Sequence, residues 1–92
     1  MKVTLKCSGY VREVLGQERE EVDLPENSTI QDLLHWIEEH HASRFPPRLW
    51  DFGQHRFRDP VVLVVNEKAA SDHTTRLTES GEIAVLYPVA GG

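Results

Sequence analysis

Thr29-Ile30-Gln31-Asp32-Leu33-Leu34-His35-Trp36-Ile37 is the stretch on which the fold turns. Ile30, Leu33, Leu34 and Ile37 recur at i, i+3, i+4 and i+7, one apolar stripe over two helical turns. Gln31, Asp32, His35, Glu38 and Glu39 occupy the rest of the surface. Thr29 is suited to the N-cap, and Asp32 three positions on completes the capping-box spacing with a negative charge at the positive helix end. The helix is expected to run to about His41 and to stop before Phe45-Pro46-Pro47, where the backbone loses an N–H donor and helical geometry.

An amphipathic helix needs a second layer to cover its stripe, and the flanking sequence supplies strands. Val3, Leu5 and Cys7 alternate with Lys2, Thr4 and Lys6, the period-2 pattern of a strand buried on one face. Tyr10 to Leu15 is too short for an independent helix and reads as a helical turn or a loop closed by Gly16. Val22 and Leu24, alternating with Glu21 and Asp23, suggest a second strand paired with the first as a hairpin and ended by Pro25. Beyond the helix, Ala42 to Pro60 is a long connection. Its Leu49, Trp50, Phe52 and Phe57 are expected to tuck it onto the core as a packed loop with one helical turn. Val61 to Val65 is an unbroken apolar run, read as a central strand paired on both sides. Asn66-Glu67-Lys68 turns the chain, and Ala69 to Leu77 holds one short strand at most. Glu79 to Glu82 makes a tight turn into a last strand, Ile83 to Tyr87, which Pro88 ends.

This order defines an α+β class. Placing the last strand beside the first gives a mixed sheet gripping one main helix, the β-grasp arrangement. Residues 1–88 are assigned to that single domain and 89–92 to a flexible reactive tail.

Composition narrows the function. The 92 residues are 39% hydrophobic and 27% charged, the balance of a folded soluble domain. Ten basic against fifteen acidic residues leave a net charge of −5, so binding nucleic acid or an anionic membrane through the overall field is disfavoured. No apolar run approaches the roughly 20 residues of a membrane helix. The N-terminus reads as a strand and not as an export signal, and the single Cys7 cannot form an internal disulfide. A cytoplasmic location is therefore expected.

The sequence holds no glycine-rich phosphate loop, nucleophile elbow or Cys-x-x-Cys pair, and no residue is assigned as catalytic. None of His35, His40, His41, His55 and His73 forms an i, i+4 pair, so no metal site is assigned and the helix-end histidines are read as favourable charges there. Cys7 falls on the inward face of its strand and reads as an inert core thiol. Arg44, Arg48, Arg56 and Arg58 make the long connection locally basic and are read first as a solvated loop, with a partner contact as the lesser alternative.

The informative feature is Pro88-Val89-Ala90-Gly91-Gly92. Two glycines with no Cβ can thread a narrow channel and present a carboxylate in extended or bent form. A carboxylate is a poor electrophile until its oxygen becomes part of a leaving group. An enzyme that activates a protein's own terminus needs a slim end of this kind.

At this point the sequence resembles the sulfur-carrier proteins of the MoaD/ThiS type, ubiquitin-like β-grasp proteins. The resemblance is carried by Lys2 to Leu5, Val11 to Gly16, Val22 to Glu26, Thr29 to Leu34, Val64 to Asn66 and Leu77 to Gly92. It implies that a ubiquitin-activating-type enzyme adenylates the Gly92 carboxylate with ATP, the chain itself binding no cofactor. Sulfur then replaces AMP, leaving a thiocarboxylate for a biosynthetic enzyme such as the large subunit of molybdopterin synthase. On this reading Gly92 is the reactive residue, and Val89, Ala90 and Gly91 are the segment recognised by the partner. The chain departs from compact members in its long Ala42 to Pro60 connection, which resembles the CysO type used in cysteine synthesis, and in Asn66-Glu67 where many members have Asn-Gly. Strand parity adds that Ala84 and Leu86 lie on the open sheet face beside Lys2, Thr4 and Lys6, so Leu86 and Pro88 are candidate partner contacts. The alternatives are a ubiquitin-like modifier joined to lysines through Gly92, and a β-grasp interaction module with an idle tail.

Overall fold

The computed structural model describes residues 1–70 and 72–87. In chain order these form β1 (Lys2–Cys7), α1 (Gly9–Leu15), β2 (Arg19–Asp23), α2 (Ile30–His41), a 3-10 turn at Ala42–Arg44, β3 (Trp50–Asp51), β4 (Arg56–Phe57), β5 (Val62–Val65), β6 (Lys68–Ala69) and β7 (Glu82–Leu86). The main sheet has the order β2-β1-β7-β5-β6. β1 and β7 run parallel and the other neighbours antiparallel, so the sheet is mixed and α2 packs into its concave face, the β-grasp arrangement.

Alternation sets the faces. Val3, Leu5 and Cys7 of β1, Val22 of β2, Leu63 and Val65 of β5, and Ile83 and Val85 of β7 are all buried toward the helix. The register aligns them, with Val3 opposite Val22, Leu5 opposite Ile83, and Cys7 opposite Val85. From the other side Ile30, Leu33, Leu34 and Ile37 of α2 close the core, each no more than 1% exposed. Burying four such side chains contributes on the order of 1.5–3 kcal/mol each before entropy is counted. The α2 cap forms as its sequence requires: Thr29 N–H donates to Asp32 Oδ2 at 2.8 Å, and Asp32 N–H to Thr29 Oγ1 at 3.4 Å.

Several segments resolve or depart from the expectation. Of the two readings open for Tyr10 to Leu15, the helical one is realised: Gly9–Leu15 is a two-turn helix that buries Val11 and Leu15. Gly16, at φ 79°, ends it in the left-handed region and donates its N–H to Arg12 O at 2.8 Å, a closure glycine makes without Cβ strain. β2 starts earlier than its alternation suggested, at Arg19, and ends at Asp23. Leu24 lies beyond it, buried, with its N–H donating to Met1 O. β5 is paired on both sides, yet the middle of the sheet is β7, because the parallel β1–β7 pairing draws the last strand between β1 and β5.

The Ala42 to Pro60 connection does pack on the core through Phe45, Leu49, Trp50 and Phe57, and its one helical turn is the 3-10 turn. It is more ordered than a loop: β3 and β4 pair as a small hairpin with Trp50 opposite Phe57 and Asp51 opposite Arg56. Strands of two residues carry no readable periodicity, and the turn residue Phe52 points outward at 48% exposure, contrary to its expected tucking. The Asn66-Glu67 pair forms the two-residue loop between β5 and β6, with φ of 48° and 73°. Both values belong to the primed hairpin turn. The Ala69 to Leu77 stretch contributes Ala69 to β6 and an isolated bridge between Thr29 and Arg76.

Candidate functional site

The sheet face opposite α2 is uncovered. On it Leu86 stands opposite Val62 and Ala84 opposite Val64 in the β5–β7 ladder. Leu86 and Val62 are each 38% exposed, while Ala84 and Val64 are half-buried, so four apolar side chains make one small patch. Charge rims it: Ala84 lies opposite Lys6 of β1, whose Nζ sits 3.2 Å from Glu82 Oε1, and Lys2 Nζ lies 3.5 Å from Glu21 Oε2. A shallow groove of about 490 Å³ opens beside Leu86, lined by Lys6, Cys7, Ser8, Glu18, Arg19 and Ala84. The apolar centre and polar rim are those of a protein-contact surface, and the groove has no enclosed chamber for chemistry.

Strand parity placed Leu86 and Ala84 on this face, and there they lie, with Ile83 and Val85 turned to the helix. Val62 and Val64 complete the patch and went unassigned in the sequence reading. Within the all-apolar run 61–65 nothing distinguishes inward from outward positions until the partner strand is known. Pro88, Val89, Ala90, Gly91 and Gly92, the other predicted site residues, lie outside the described residues.

The last described residue, Tyr87, is braced by α1. Tyr10 of α1 meets its ring edge-on, centroids 5.4 Å apart, and Arg48 lies over Tyr10 with Cζ 4.9 Å from the ring centre. Ser8 N–H donates to Val85 O at 3.2 Å, tying the start of α1 to the end of β7.

Elsewhere the titratable groups serve the fold. Cys7 is buried, and desolvation, followed by the nearby Glu20 charge, pushes its thiol up to about 11. Such a thiol is protonated at neutral pH and unreactive. His41, read from sequence as a favourable charge at the helix end, is buried between β2 and the 3-10 turn. Arg44 Nη2 can only donate, so it donates to His41 Nδ1. Nε2 then carries the proton and donates to Glu20 Oε1 at 2.8 Å. His40 stacks on Trp36, with ring centroids 4.1 Å apart. The loop arginines are likewise engaged: Arg58 Nε donates to Pro47 O at 2.8 Å, and Arg48 Nη2 to Tyr10 Oη at 2.7 Å. Among the described residues no group of three His, Cys, Asp or Glu side chains could hold a metal ion, and no helix is long and apolar enough to cross a membrane.

A mixed sheet packed on α2, with its other face open, defines the ubiquitin-like β-grasp class. The model of the ThiS family matches residues 6–92, and the chain belongs to that family. Its members are small carrier proteins rather than catalysts. Among solved structures, SAMP1 from Haloferax volcanii is similar over 100% of both chains, with a TM-score of 0.83 and 23% identity. One chain of the protein–protein complex of subunits 1 and 2 of molybdopterin-converting factor from Helicobacter pylori matches over 100% of both chains with a TM-score of 0.66 and 18% identity. CysO from Mycobacterium tuberculosis matches over 95% of this chain and 99% of its own, with a TM-score of 0.66 and 14% identity. At these identities the likeness is one of fold. Compared with curated proteins one by one, the sequence gives no match.

Proposed function

We propose that this chain carries sulfur as a thiocarboxylate on Gly92. The observation that carries the reading is the run from β7 through Tyr87 into Pro88-Val89-Ala90-Gly91-Gly92, all inside the ThiS family match. A ubiquitin-activating-type enzyme would supply ATP and the catalytic groups. One Gly92 carboxylate oxygen attacks the α-phosphorus, the new P–O bond forms, and pyrophosphate leaves. The terminal sulfur of a persulfide then displaces AMP from the acyl carbon. A second thiol attacks the donor sulfur, so that a disulfide forms on the donor side and the thiocarboxylate stays on Gly92. Every step needs a slim chain end inside a partner's channel, which Val89, Ala90 and Gly91 would fill. None draws a general acid or base from this chain.

The thiocarboxylate would be delivered to a synthase in cofactor or metabolite biosynthesis, a molybdopterin synthase large subunit being the first candidate. The fold likeness to a chain of the Helicobacter pylori complex of subunits 1 and 2 supports a partner of that kind. The patch of Leu86, Val62, Ala84 and Val64, with Pro88 next to it in sequence, is the surface such a partner would cover. A reduced thiol chemistry fits the cytoplasm. A second reading, in which Gly92 is joined to lysines of other proteins, draws support from the fold likeness to SAMP1, a small archaeal modifier protein.

Intact mass of the chain purified from its host, with fragmentation of the C-terminal peptide, separates these readings. One sulfur in place of one oxygen on Gly92 is the expected result. Lysine peptides bearing a Gly91-Gly92 remnant would establish the modifier instead. An unaltered Gly92 after incubation with ATP and the host's adenylating enzyme would overturn both.

A further inference from the structure

The long connection between α2 and β5 reaches the root of the tail through one residue. Arg48 spreads its guanidinium over Tyr10, and its Nη2 donates to the Tyr10 hydroxyl at 2.7 Å, so the group is held at both ring face and ring edge. Tyr10 in turn braces Tyr87, and a Cβ on Gly9 would come within 3.2 Å of the Tyr87 carbonyl oxygen. Helix α1, the connection and the end of β7 thus meet at the residue from which the tail departs.

Arg48 is exposed, and among the described residues no carboxylate lies within ion-pair distance of it, whereas Lys2, Lys6 and Arg58 each have one. Tyr10 takes one N–H of the fork, and among the described residues the other donors have no hydrogen-bond partner. A planar guanidinium already immobilised on an aromatic ring loses little rotamer entropy when a carboxylate docks. Reach fixes who can dock. The residues after Tyr87 span at most about 17 Å when fully extended. An enzyme that closes on Gly92 therefore covers the surface around Tyr87, where Arg48 stands one aromatic ring away.

We propose that Arg48, braced on Tyr10, is a docking contact for an acidic side chain of the adenylating enzyme that takes the tail. The proposal rests on the adenylation reading above. Because the chain is acidic overall, at −5, this cation orients the encounter against the general field.

The test is ATP–pyrophosphate exchange by the host's purified adenylating enzyme, with the full chain as the varied substrate. Wild type is compared with Arg48→Glu and Arg48→Lys, each first shown to melt as wild type does. Arg48→Glu should raise KM for the carrier by about tenfold or more with kcat within about twofold, the signature of a lost docking charge. Arg48→Lys, which keeps the charge, should stay within about threefold of wild type, and added salt should narrow the gap between wild type and Arg48→Glu. Wild-type exchange with an unchanged KM for Arg48→Glu overturns the docking contact and leaves the adenylation reading standing. Equal loss of kcat in both variants also overturns it, since Arg48 would then act only by holding the tail root. Absence of exchange with wild type overturns the adenylation reading and this proposal together.

Discussion

Leu86 lies directly across from Val62 in the antiparallel β5–β7 ladder, and both side chains are 38% exposed on the face away from the helix. Cross-strand neighbours on an open face share one apolar footprint. Here that footprint sits where the central strand gives way to the tail. Replacing Leu86 or Val62 with Glu should leave the fold intact, because neither side chain enters the core. A partner bound over the patch should lose about 1–3 kcal/mol of affinity for either change, roughly ten- to a hundredfold in Kd. Titration calorimetry against the synthase subunit encoded by the same host checks this. Wild-type affinity in both variants would remove the patch from the interface.

Much of this arrangement was legible before the structure. The stripe Ile30-Leu33-Leu34-Ile37 and the alternation Val3-Leu5-Cys7 each specify an element and its buried face, because 3.6- and 2-residue periods are set by backbone geometry alone. Parity alone carried Leu86 to the open face. Val62 was hidden inside an all-apolar run, where register and not residue type decides which side faces out. The β3–β4 hairpin was hidden because Trp50-Asp51 and Arg56-Phe57 are too short to show a period and are held by tertiary contacts. His41 misled for a related reason: its role depends on Glu20, twenty-one positions earlier, and no local pattern announces that pairing.

Glu67 stands at φ 73° in the two-residue turn after Asn66, a conformation that costs a side-chain-bearing residue about 1 kcal/mol or more. Asn66 tolerates the left-handed region and is fixed further by its Nδ2 donating to Thr78 Oγ1 at 3.2 Å. Glu67→Gly relieves the strain without touching a bonded group, offset in part by glycine's extra freedom in the unfolded chain. A net stabilisation of about 0.5–1 kcal/mol is expected from urea unfolding. A destabilised variant would show that the Glu67 side chain contributes something beyond the turn.

Glu38 joins the β3–β4 hairpin to α2. Its Oε1 accepts from Trp50 Nε1 at 2.9 Å, and Oε2 lies 2.9 Å from His55 Nδ1. The Trp50 hydrogen bond chiefly, helped by His55, holds the Glu38 carboxyl below its ordinary value of 4.5. A carboxylate whose pKa is lowered by folding stabilises the native state above its unfolded pKa and loses that contribution as pH falls through the lower folded value. Glu38→Ala should therefore destabilise the chain by about 1–2 kcal/mol at neutral pH, part of it from leaving the indole N–H without its acceptor. The difference from wild type should shrink below about pH 4. Thermal melts of both proteins between pH 3 and 7 would show it, and a gap constant with pH would mean that packing alone links hairpin and helix.

Gly81 is buried at the entry to β7, and the space around it is already taken. Its N–H donates to Thr78 O at 2.8 Å, and its carbonyl accepts from Thr4 N–H at 2.9 Å, so the residue is fixed between the preceding turn and β1. A Cβ there would lie 2.8 Å from Thr78 O and 2.9 Å from Thr78 Oγ1. The hydroxyl could rotate away, but the carbonyl belongs to the backbone and can move only with the turn. That turn includes Ser80 at φ 61° and positions Ser80 N–H to donate to Lys2 O at 2.7 Å. Gly81→Ala should cost about 1–3 kcal/mol, the range for forcing atoms into filled space. The disturbance should centre on Thr78 to Glu82 and on the first residues of β1, leaving the Tyr10–Tyr87 contact at the far end of β7 in place. Chemical-shift mapping of the variant tests both parts. Shifts that spread along β7 to Leu86 and Tyr87 would mean that the turn sets the strand's register, and that the tail's point of departure depends on a glycine at its opposite end.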